Sequence, residues 1–411
     1  MHSEGSITFP IYITTAYQFN NTEHAANLFG LKEFGNIYSR LGNPTVGALE
    51  ARLTALEEGA MCVALSSGTS AVMYSLINIM SQGDNFVTAN QLYGGTYTMF
   101  DNILPEYGIN SKKVDITDLE AVEAAIDEKT RAIYCETITN PGLVVADISA
   151  LADIAHSKGI PLIVDATFTT SAILKPFEYG ADIVVYSLTK WMSGHGRVIA
   201  GAVIEKGGFD WGNGNFPLYD KPDTSYGGMR WGHDLGDLGN VAYSLRLRTV
   251  PLRNLGANMS PDTAFEVMSG LETLALRMER HCENAIKSAE YLTEHELVEW
   301  VRFPGLKDDP AYDLSEKYLK GTGGTMVVFG IKGGKDAGQK FIDNLKMFRH
   351  VANVGDTRSL AIHPATTTHS QLDEDQLIAA GSPPELIRLS IGIEDIDDII
   401  EDLSQALEST K

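Results

Sequence analysis

The residue types that could do chemistry in this sequence come at the ends of short apolar runs. The run VVYSLTK (184–190) carries Ser187 and Thr189 and ends in Lys190, and another apolar run ends in Asp165. Charged side chains at such places are costly to bury unless they are paired or used. Burial also lowers the pKa of a lysine and makes its amine a usable nucleophile and base. These residues are therefore candidates for catalysis.

A candidate anion site is found in the stretch SSGTSA (66–71), where Ser67, Gly68 and Thr69 precede a helical pattern. Serine and threonine cap helices, and the free N–H groups of a first helical turn bind anions. A nucleotide site is less favoured, because the sequence has no Walker motif and GHGRVIAG (194–201) lacks the GxGxxG spacing. The stretch therefore predicts a site for a single phosphate.

Each of these residues also has an ordinary structural interpretation. The serines can merely cap a helix, Asp165 can cap the segment that follows it, and Lys190 can lie in solvent. The combination of an anion cradle, a carboxylate and a lysine favours pyridoxal 5'-phosphate (PLP). The lysine binds the aldehyde of this cofactor covalently, and the carboxylate keeps its pyridine nitrogen protonated. The helix terminus holds the phosphate, helped by the hydroxyls of Ser187 and Thr189.

These residues need a scaffold that brings the ends of several strands together. Short apolar runs alternate with helical patterns from about residue 50 to residue 205, which is typical of parallel βαβ units with helices on both faces. In such a sheet, ligands bind beyond the carboxyl ends of the strands. We therefore expect the ends of four runs to meet at one edge. These runs are 61–65, 131–135, 160–164 and 181–186.

The rest of the chain is organised differently. Residues 207–239 are rich in Gly, Asn, Asp, Pro and aromatic residues, which predicts a long loop or insertion. A long helical pattern follows over about 263–294. The remainder, up to residue 411, has mixed strand and helix patterns that indicate a smaller α/β domain.

Composition narrows the classes of function. The chain has 411 residues, 44% of them hydrophobic, and a formal net charge of −22, so nucleic-acid binding is not expected. No apolar run reaches the roughly 18 residues of a membrane helix. No basic segment typical of a secretory signal precedes Lys32. Three cysteines without a CxxC pair are typical of buried thiols in a reducing compartment, which predicts a cytoplasmic protein.

Metal binding is not expected. The histidines that stand near the candidate site or in glycine-rich segments are His195, His233, His363 and His369. Their spacing differs from that of metal ligands, so we interpret them as structural residues or as residues at the rim of the site.

Seven motifs, taken in order, resemble the Cys/Met-metabolism family of PLP-dependent enzymes, of the aspartate-aminotransferase fold type I. They are YSRLGNPT (38–45), SSGTSA (66–71), LYGGTY (92–97), ETITNP (136–141), VDATF (164–168), SLTKW (187–191) and RLSIGIE (388–394). The resemblance covers nearly the whole chain. It implies an α/β fold with a mostly parallel central sheet and three regions. These are an N-terminal intersubunit arm (1–48), a large PLP-binding domain (49–280) and a C-terminal domain (281–411).

The resemblance also implies a role for each residue that matches a motif. Lys190 is the lysine that binds the cofactor and shuttles protons, and Asp165 pairs with the pyridine nitrogen. Tyr93 stacks on the cofactor ring and assists proton transfer; without the resemblance it would be a loop aromatic packed into the core. The residues that would bind the cofactor are Tyr38, Arg40, Ser67, Gly68, Thr69, Tyr93, Asp165, Thr167, Ser187, Thr189 and Lys190.

Substrate recognition follows from the same resemblance. Arg388 would bind the substrate carboxylate through the two-pronged geometry of its guanidinium, with Asn140 and Ser359 assisting. Tyr38 would contribute to the substrate site as well as to the cofactor site of the neighbouring subunit, together with Arg40. This implies a homo-oligomer with shared active sites, a dimer within a tetramer. Without the resemblance, these residues would be ordinary turn, cap and surface residues.

The segments 23–45 and 209–228 resemble the O-acetylhomoserine sulfhydrylase branch of the family. The implied reaction is a γ-replacement, in which acetate leaves O-acetyl-L-homoserine and sulfide or a thiol takes its place. Homocysteine or methionine is the product, and a sulfur-carrier protein is a possible donor. The alternatives are a γ-lyase, a cystathionine γ-synthase-type enzyme and a non-catalytic α/β binding protein. Ala166 and Arg197 depart from the pattern of the branch.

Overall fold

The computed structural model describes residues 5–368, 370, 373–379 and 381–411. Within them the strands are β1 (Met61–Leu65), β2 (Asn85–Ala89), β3 (Asn110–Val114), β4 (Thr130–Glu136), β5 (Leu162–Asp165), β6 (Ile183–Ser187), β7 (Gly201–Glu205), β8 (Val298–Arg302), β9 (Met326–Ile331), β10 (Arg349–His350), β11 (Leu360–Ile362) and β12 (Leu386–Ser390). Short 3₁₀ and π turns join several of the helices and strands.

The helices surround these strands. They are α1 (Thr22–Phe29), α2 (Pro44–Glu57), α3 (Gly68–Ile77), α4 (Gly94–Thr98), α5 (Leu119–Ala125), α6 (Ile148–Ser157), α7 (Thr170–Ile173), α8 (Pro217–Asp220), α9 (Ala242–Leu247), α10 (Arg253–Leu255), α11 (Pro261–Leu271), α12 (Leu274–Glu294), α13 (Tyr312–Tyr318), α14 (Gly334–Asn344), α15 (Glu374–Ala379) and α16 (Ile396–Glu408).

The central sheet has seven strands in the order β1-β7-β6-β5-β4-β2-β3. All of its strands run in one direction except β7, which is antiparallel to both β1 and β6. The predicted mostly parallel α/β sheet is thus confirmed. The ends of β1, β4, β5 and β6 meet at one edge, as expected, because these strands run parallel.

A second sheet of five strands, in the order β10-β11-β12-β9-β8, forms the C-terminal part of the fold. Its apolar core is separate from the core around the central sheet. Helix α12 belongs to both, because Met278 and Cys282 pack into the first core and Ala285, Ala289 and Leu292 into the second. One rigid helix therefore connects the two parts of the molecule.

The long helical pattern predicted over 263–294 is two helices and not one. Helix α11 ends at Leu271 and α12 starts at Leu274. Glu272 and Thr273 lie between them, and Thr273 has φ −114° and ψ 10°, which is outside the helical region. Neither of these two residues is a glycine or a proline, and Gly270 lies inside the last turn of α11, so the local pattern does not place the break.

The predicted insertion at 207–239 contains short helical turns and has an apolar core of its own. Trp211, Phe216 and Tyr219 are almost completely buried and pack against one another. The Trp211 indole donates a hydrogen bond of 3.2 Å to the buried carboxylate of Glu205, at the end of β7. This bond and the aromatic packing fix the insertion to the central sheet.

The three cysteines are buried free thiols, as the sequence predicts. Among the helices in the described ranges, none has both the length and the apolar character needed to cross a bilayer.

A buried carboxyl lies below the central sheet, away from the candidate site. Glu57, at the end of α2, accepts a hydrogen bond from the hydroxyl of Tyr186, and its other oxygen has no partner in the described structure. Burial raises the pKa of Glu57 to about 7, against the opposing effects of Tyr186 and Lys175. The folded protein therefore binds this proton more tightly than the unfolded chain does.

Glu57 makes the stability of the protein depend on pH. Its contribution is fully present below the ordinary glutamate pKa and is lost as the pH rises through about 7. As the pH rises from 5 to 8, we expect the free energy of unfolding of Glu57→Gln to increase by up to about 3 kcal/mol relative to that of the parent protein. Urea unfolding at several pH values measures this difference. Glu58→Gln is the control, because its carboxyl is exposed; a pH-independent difference for Glu57→Gln would contradict the assignment.

Candidate active site

Lys190 lies in a tight turn just beyond the end of β6. The backbone N–H of Gly194 donates to its carbonyl at 2.8 Å, and its own N–H donates to the carbonyl of Ser187. Its amine donates a hydrogen bond of 2.6 Å to Oδ1 of Asn353. Burial, together with the positive charge of Arg388, lowers the pKa of Lys190 to about 8. The amine is therefore available as a nucleophile close to neutral pH.

Asp165 ends β5 at the same edge and is held in a fixed orientation. Its Oδ1 accepts the backbone N–H of Thr167 at 2.9 Å, and its Oδ2 is 3.4 Å from the hydroxyl of Tyr134. The hydroxyl of Thr167 in turn accepts the N–H of Ser187 at 2.8 Å, which links β5 to β6. Burial raises the pKa of Asp165. A cationic partner, such as a protonated pyridine nitrogen, would stabilise its charged form.

The N-terminus of α3 lies directly against the end of β6. Ser67 caps the helix by accepting the N–H of Ser70 at 3.0 Å, and the N–H groups of Gly68 and Thr69 in the first turn have no hydrogen-bond partner among the described residues. A Cβ atom on Gly68 would lie 2.5 Å from Cβ of Ser187. Only glycine allows this approach, which brings the free N–H groups next to the lysine turn.

The two hydroxyls beside this helix terminus have different partners. Thr189 donates to the carbonyl of Ala200 at 3.2 Å and accepts its N–H at 3.0 Å, so it closes the loop 190–199. The hydroxyl of Ser187 has no hydrogen-bond partner among the described residues. Ser187 is thus the hydroxyl that is free to bind a phosphate at this place.

Arg388, on β12, extends from the second sheet toward Lys190. Its Nη1 donates to Oδ1 of Asn140 at 3.0 Å, and its Nη2 lies 3.5 Å from the carbonyl of Asn353. Within the described part of the chain, no carboxylate lies within ion-pair distance of this guanidinium. Burial lowers the pKa of Arg388 to about 10. The group is ready to bind an anion that is not part of the chain.

Tyr93 and Asn140 are positioned by one buried carboxyl. Glu136, at the end of β4, accepts the N–H of Tyr93 at 2.8 Å and also the N–H of Asn140. Burial and the neighbouring charge of Asp165 raise the pKa of Glu136. The ring of Tyr93 is half exposed, and the residue is close enough to Arg388 to raise the pKa of that guanidinium, against the larger lowering by burial.

Tyr38 and Arg40 are not brought together with Lys190 in this chain. Both are exposed on the segment between α1 and α2, and the guanidinium of Arg40 lies 5.1 Å from the centre of the Tyr38 ring. Residue 16 of the N-terminal arm pairs with Tyr38 in an isolated β-bridge. Their predicted role in a neighbouring subunit's site stays a prediction.

Ser359 directly precedes β11, the strand that pairs with β12, and its side chain is fully engaged in hydrogen bonds. Its hydroxyl donates to Glu394 at 2.9 Å and accepts the N–H of Gly392 at 2.9 Å, and its own N–H donates to Glu394. The side chain is completely buried. In this arrangement Ser359 positions the chain around β12, while Asn140 and Asn353 are the residues that contact Arg388.

Asn353 is the residue that the sequence analysis missed. It contacts both Lys190 and Arg388, although it lies in a loop between β10 and β11. The only sequence signal is its place in VANVGDTRSL (351–360), where a glycine-containing loop follows a strand pattern. Gly355 has φ +78°, and a Cβ atom there would lie 2.9 Å from Cβ of Lys190, so this loop closes directly on the lysine.

The two residues that depart from the pattern of the branch, Ala166 and Arg197, lie in different environments. Ala166 is completely buried in the apolar core, and its N–H donates a hydrogen bond of 3.0 Å to the carbonyl of Val185 on β6. Arg197 forms an ion pair of 3.0 Å with Glu266, and most of its side chain is exposed. Among the described residues, neither forms a hydrogen bond or ion pair with Lys190 or Arg388.

Of the histidines singled out in the sequence, His195 lies in the loop that follows Lys190, with its Nδ1 2.5 Å from the carbonyl of Ser193. His233 pairs with Asp220 at 2.8 Å, and His363 is buried with partners at Pro384 and Thr366. His369 lies outside the described residues. Among the described His, Cys, Asp and Glu side chains, no group of three could hold a metal ion.

The sequence that forms this edge of the sheet is similar to that of a known family. The sequence matches the family described as Cys/Met metabolism PLP-dependent enzyme over residues 1–408. The chain belongs to this family. The match covers nearly the whole chain, and PLP is the cofactor of this enzyme.

Several characterised relatives are similar over almost all of this PLP-dependent enzyme. The O-acetyl-L-homoserine sulfhydrylase of Leptospira meyeri is 47% identical, with 97% of this chain and 92% of the relative covered. The homocysteine synthase of Schizosaccharomyces pombe is 46% identical, with 97% and 93% covered. A solved structure of a putative O-acetylhomoserine (thiol)-lyase from Campylobacter jejuni has a TM-score of 0.95, 41% identity and coverage of 99% and 96%. That structure contains N'-pyridoxyl-lysine-5'-monophosphate.

The residues present in this PLP-dependent enzyme fit the cofactor. Lys190 offers an amine with a lowered pKa, Asp165 a buried carboxylate without a cationic partner in the described chain, and α3 two free N–H groups beside Ser187. These three features are the ones that an aldehyde, a pyridine nitrogen and a phosphate require.

The close contact between Gly68 and Ser187 is expected to be essential for cofactor binding. In Gly68→Ala the new methyl group displaces α3 from β6, because its Cβ would lie 2.5 Å from Cβ of Ser187. We expect PLP to bind at least about tenfold more weakly, which costs about 1.4 kcal/mol. Fluorescence titration of the apoprotein with PLP measures this. Gly47→Ala, where a Cβ meets nothing within 4 Å, is the control, and equal affinities in the two variants would contradict the prediction.

The low pKa of Lys190 predicts a pH dependence of covalent cofactor binding. Only the neutral amine attacks an aldehyde, so the rate should rise with pH and level off above about pH 8. In Arg388→Gln the midpoint should move to higher pH, because a neighbouring positive charge is removed. Stopped-flow absorbance of apoprotein mixed with PLP measures both curves. Arg349→Gln, on the exposed strand β10, is the control; the proposed coupling is wrong if Arg388→Gln leaves the midpoint unchanged.

Proposed function

We propose that this PLP-dependent enzyme catalyses γ-replacement on O-acetyl-L-homoserine. Acetate leaves the substrate, and sulfide or a thiol replaces it to give homocysteine or methionine. The proposal is supported by relatives that are 46 to 47% identical and carry the names O-acetyl-L-homoserine sulfhydrylase and homocysteine synthase. In the family, methionine γ-lyases typically carry a cysteine at the position of Gly95, which favours the replacement reaction over a lyase reaction.

The observation that carries the proposal is a pair of neighbouring cations with no acidic partner. Lys190 and Arg388 are largely buried and close enough for Arg388 to lower the pKa of Lys190. Within the described residues neither has a carboxylate at ion-pair distance, although the chain as a whole has a net charge of −22. Such a site is built for ligands that bring their own negative charges, which suits a phosphorylated cofactor and an amino-acid carboxylate.

The side chains have separate tasks in this reaction. Arg388 binds the substrate carboxylate in a bidentate geometry, with its guanidinium oriented by Asn140. PLP, when bound, supplies an electron sink for negative charge on the substrate carbons. The Lys190 amine takes the proton from Cα and moves protons at Cβ, while Asn353 accepts one of its N–H groups. Asp165 keeps the pyridine nitrogen protonated.

The complete site requires a second copy of the chain. Tyr38 and Arg40 are exposed and lie apart from Lys190, and the arm before them has strongly exposed apolar residues, Ile7 and Ile13. These features support a homo-oligomer, a dimer within a tetramer, in which the arm (1–48) reaches a neighbouring subunit. The large domain (49–280) then binds PLP and the C-terminal domain (281–411) supplies Arg388. A cytoplasmic location and a sulfur-carrier protein as donor belong to the same proposal.

The proposed function is tested by the reaction itself. The holoenzyme should form homocysteine from O-acetyl-L-homoserine and sulfide, and the preparation should be yellow. Lys190→Ala should lose the visible absorbance of the covalently bound cofactor and at least about 10³-fold in rate, because it removes both nucleophile and base. Lys158→Ala, a partly exposed lysine paired with Glu123, is the control.

Other outcomes would identify a different protein. Cleavage of methionine to a keto acid and a thiol, without homocysteine formation, would assign a γ-lyase. Formation of cystathionine when cysteine replaces sulfide would assign a synthase. A colourless preparation that does not react with borohydride would indicate a binding protein without catalysis.

A further inference from the structure

Helix α12 carries a line of buried polar side chains on one face, and three of them bind other parts of the fold. Arg277, His281 and Asn284 are spaced at i, i+4 and i+7, which places them in a line along the helix. All three are almost completely inaccessible to solvent. Buried polar groups in the middle of an amphipathic helix are costly unless they have partners. Their partners lie in two different parts of the site.

Arg277 binds the turn that follows Lys190. Its Nη1 donates to the carbonyl of Trp191 at 2.7 Å, and its Nη2 lies 3.3 Å from the carbonyl of Met192. Nη2 also donates to the carbonyl of Gly270, at the end of α11, at 2.9 Å. Nε donates to the hydroxyl of Thr273 at 3.2 Å.

This guanidinium is surrounded by neutral acceptors only. In the described structure no carboxylate lies within ion-pair distance of Arg277, and burial lowers its pKa to about 10. Gly194 packs directly on the guanidinium, so that a Cβ atom there would overlap Nη1 of Arg277. The break between α11 and α12 at Thr273 lets Arg277 reach Gly270 and the lysine turn at the same time.

The other two side chains bind the segment that follows β12. Nδ1 of His281 lies 2.6 Å from the carbonyl of Ile391. The Asn284 amide donates to the carbonyls of Gly392 and Glu394 at 3.1 and 2.9 Å. Strand β12 carries Arg388, so these bonds hold the end of the strand that presents the substrate-binding guanidinium.

We propose that Arg277, His281 and Asn284 are positioning residues that fix the distance between Lys190 and Arg388. This inference rests on the proposed roles of those two residues. Helix α12 sets this distance, because Arg277 at one end of the line binds the lysine turn and Asn284 at the other end binds the segment after β12. A misplacement of about 1 Å at a reacting group can cost about 100-fold in rate, so this distance matters for catalysis.

The proposal makes the two ends of the line affect different kinetic constants. Arg277→Lys keeps the charge but cannot reach three carbonyls and a hydroxyl, so the lysine turn loosens. We expect kcat for O-acetyl-L-homoserine to fall at least about tenfold, with KM within about threefold. Asn284→Ala loosens the end of β12 and should raise KM at least about tenfold with kcat little changed.

Hydrogen exchange on the holoenzyme gives a readout that does not depend on activity. In Arg277→Lys the amides of Ser193 and Gly194, which donate within the lysine turn, should exchange at least about tenfold faster. In Asn284→Ala the amides of Gly392 and Ile393 should do so instead. Arg280→Lys is the control, because Arg280 lies on the exposed face of α12, where it forms an ion pair with Glu283.

The outcomes separate this inference from the proposed function. If Arg277→Lys fails to fold, Thr273→Val removes one acceptor of the guanidinium and should shift kcat and exchange in the same direction, by less. The inference is overturned, and the role is purely structural, if kcat falls and KM rises by similar factors in both variants. The same conclusion follows if hydrogen exchange rises evenly across the protein. Local exchange changes in an enzyme that does not accept O-acetyl-L-homoserine would overturn the substrate assignment and keep the positioning role.

Discussion

The interaction on which this structure depends is the approach of two buried cations, Lys190 and Arg388, without an acidic partner in the described chain. Each cation lowers the stability of the other's charged form, and burial adds to this effect. The site therefore needs ligands that bring negative charge. PLP and the carboxylate of an amino acid meet this need, and Asn353 lies between the two cations as a neutral hydrogen-bond partner.

The two cations come from different sheets, so their distance is set by contacts between the two parts of the fold. The lysine turn follows β6 of the central sheet, while Arg388 lies on β12 of the second. Loops 190–199 and 353–359 pack together, and α12 contributes to both apolar cores. Rigid elements that end at the site are well suited to fix such a geometry.

Other buried polar groups at the site orient neighbouring backbone. Glu136 accepts N–H groups from the loops of Tyr93 and Asn140, and Thr167 links Asp165 to the strand of Ser187. These bonds fix the backbone of residues that are expected to contact the cofactor, among them Tyr93, Asp165 and Ser187. Buried networks of this kind define one arrangement of the site because every alternative leaves a polar group without a partner.

The sequence alone was enough to predict PLP as the cofactor, which the family match confirms. Lys190, Asp165 and SSGT end or follow strand patterns, and parallel strands place such ends at one edge because their direction is fixed by the helices between them. The sequence did not determine the reversed strand β7, the break at Thr273, the engagement of Ser359 with Glu394 or the place of Asn353. These depend on contacts between residues far apart in the chain, and local periodicity carries no information about them. The tertiary structure decided which hydroxyl is free and how Lys190 lies relative to Arg388.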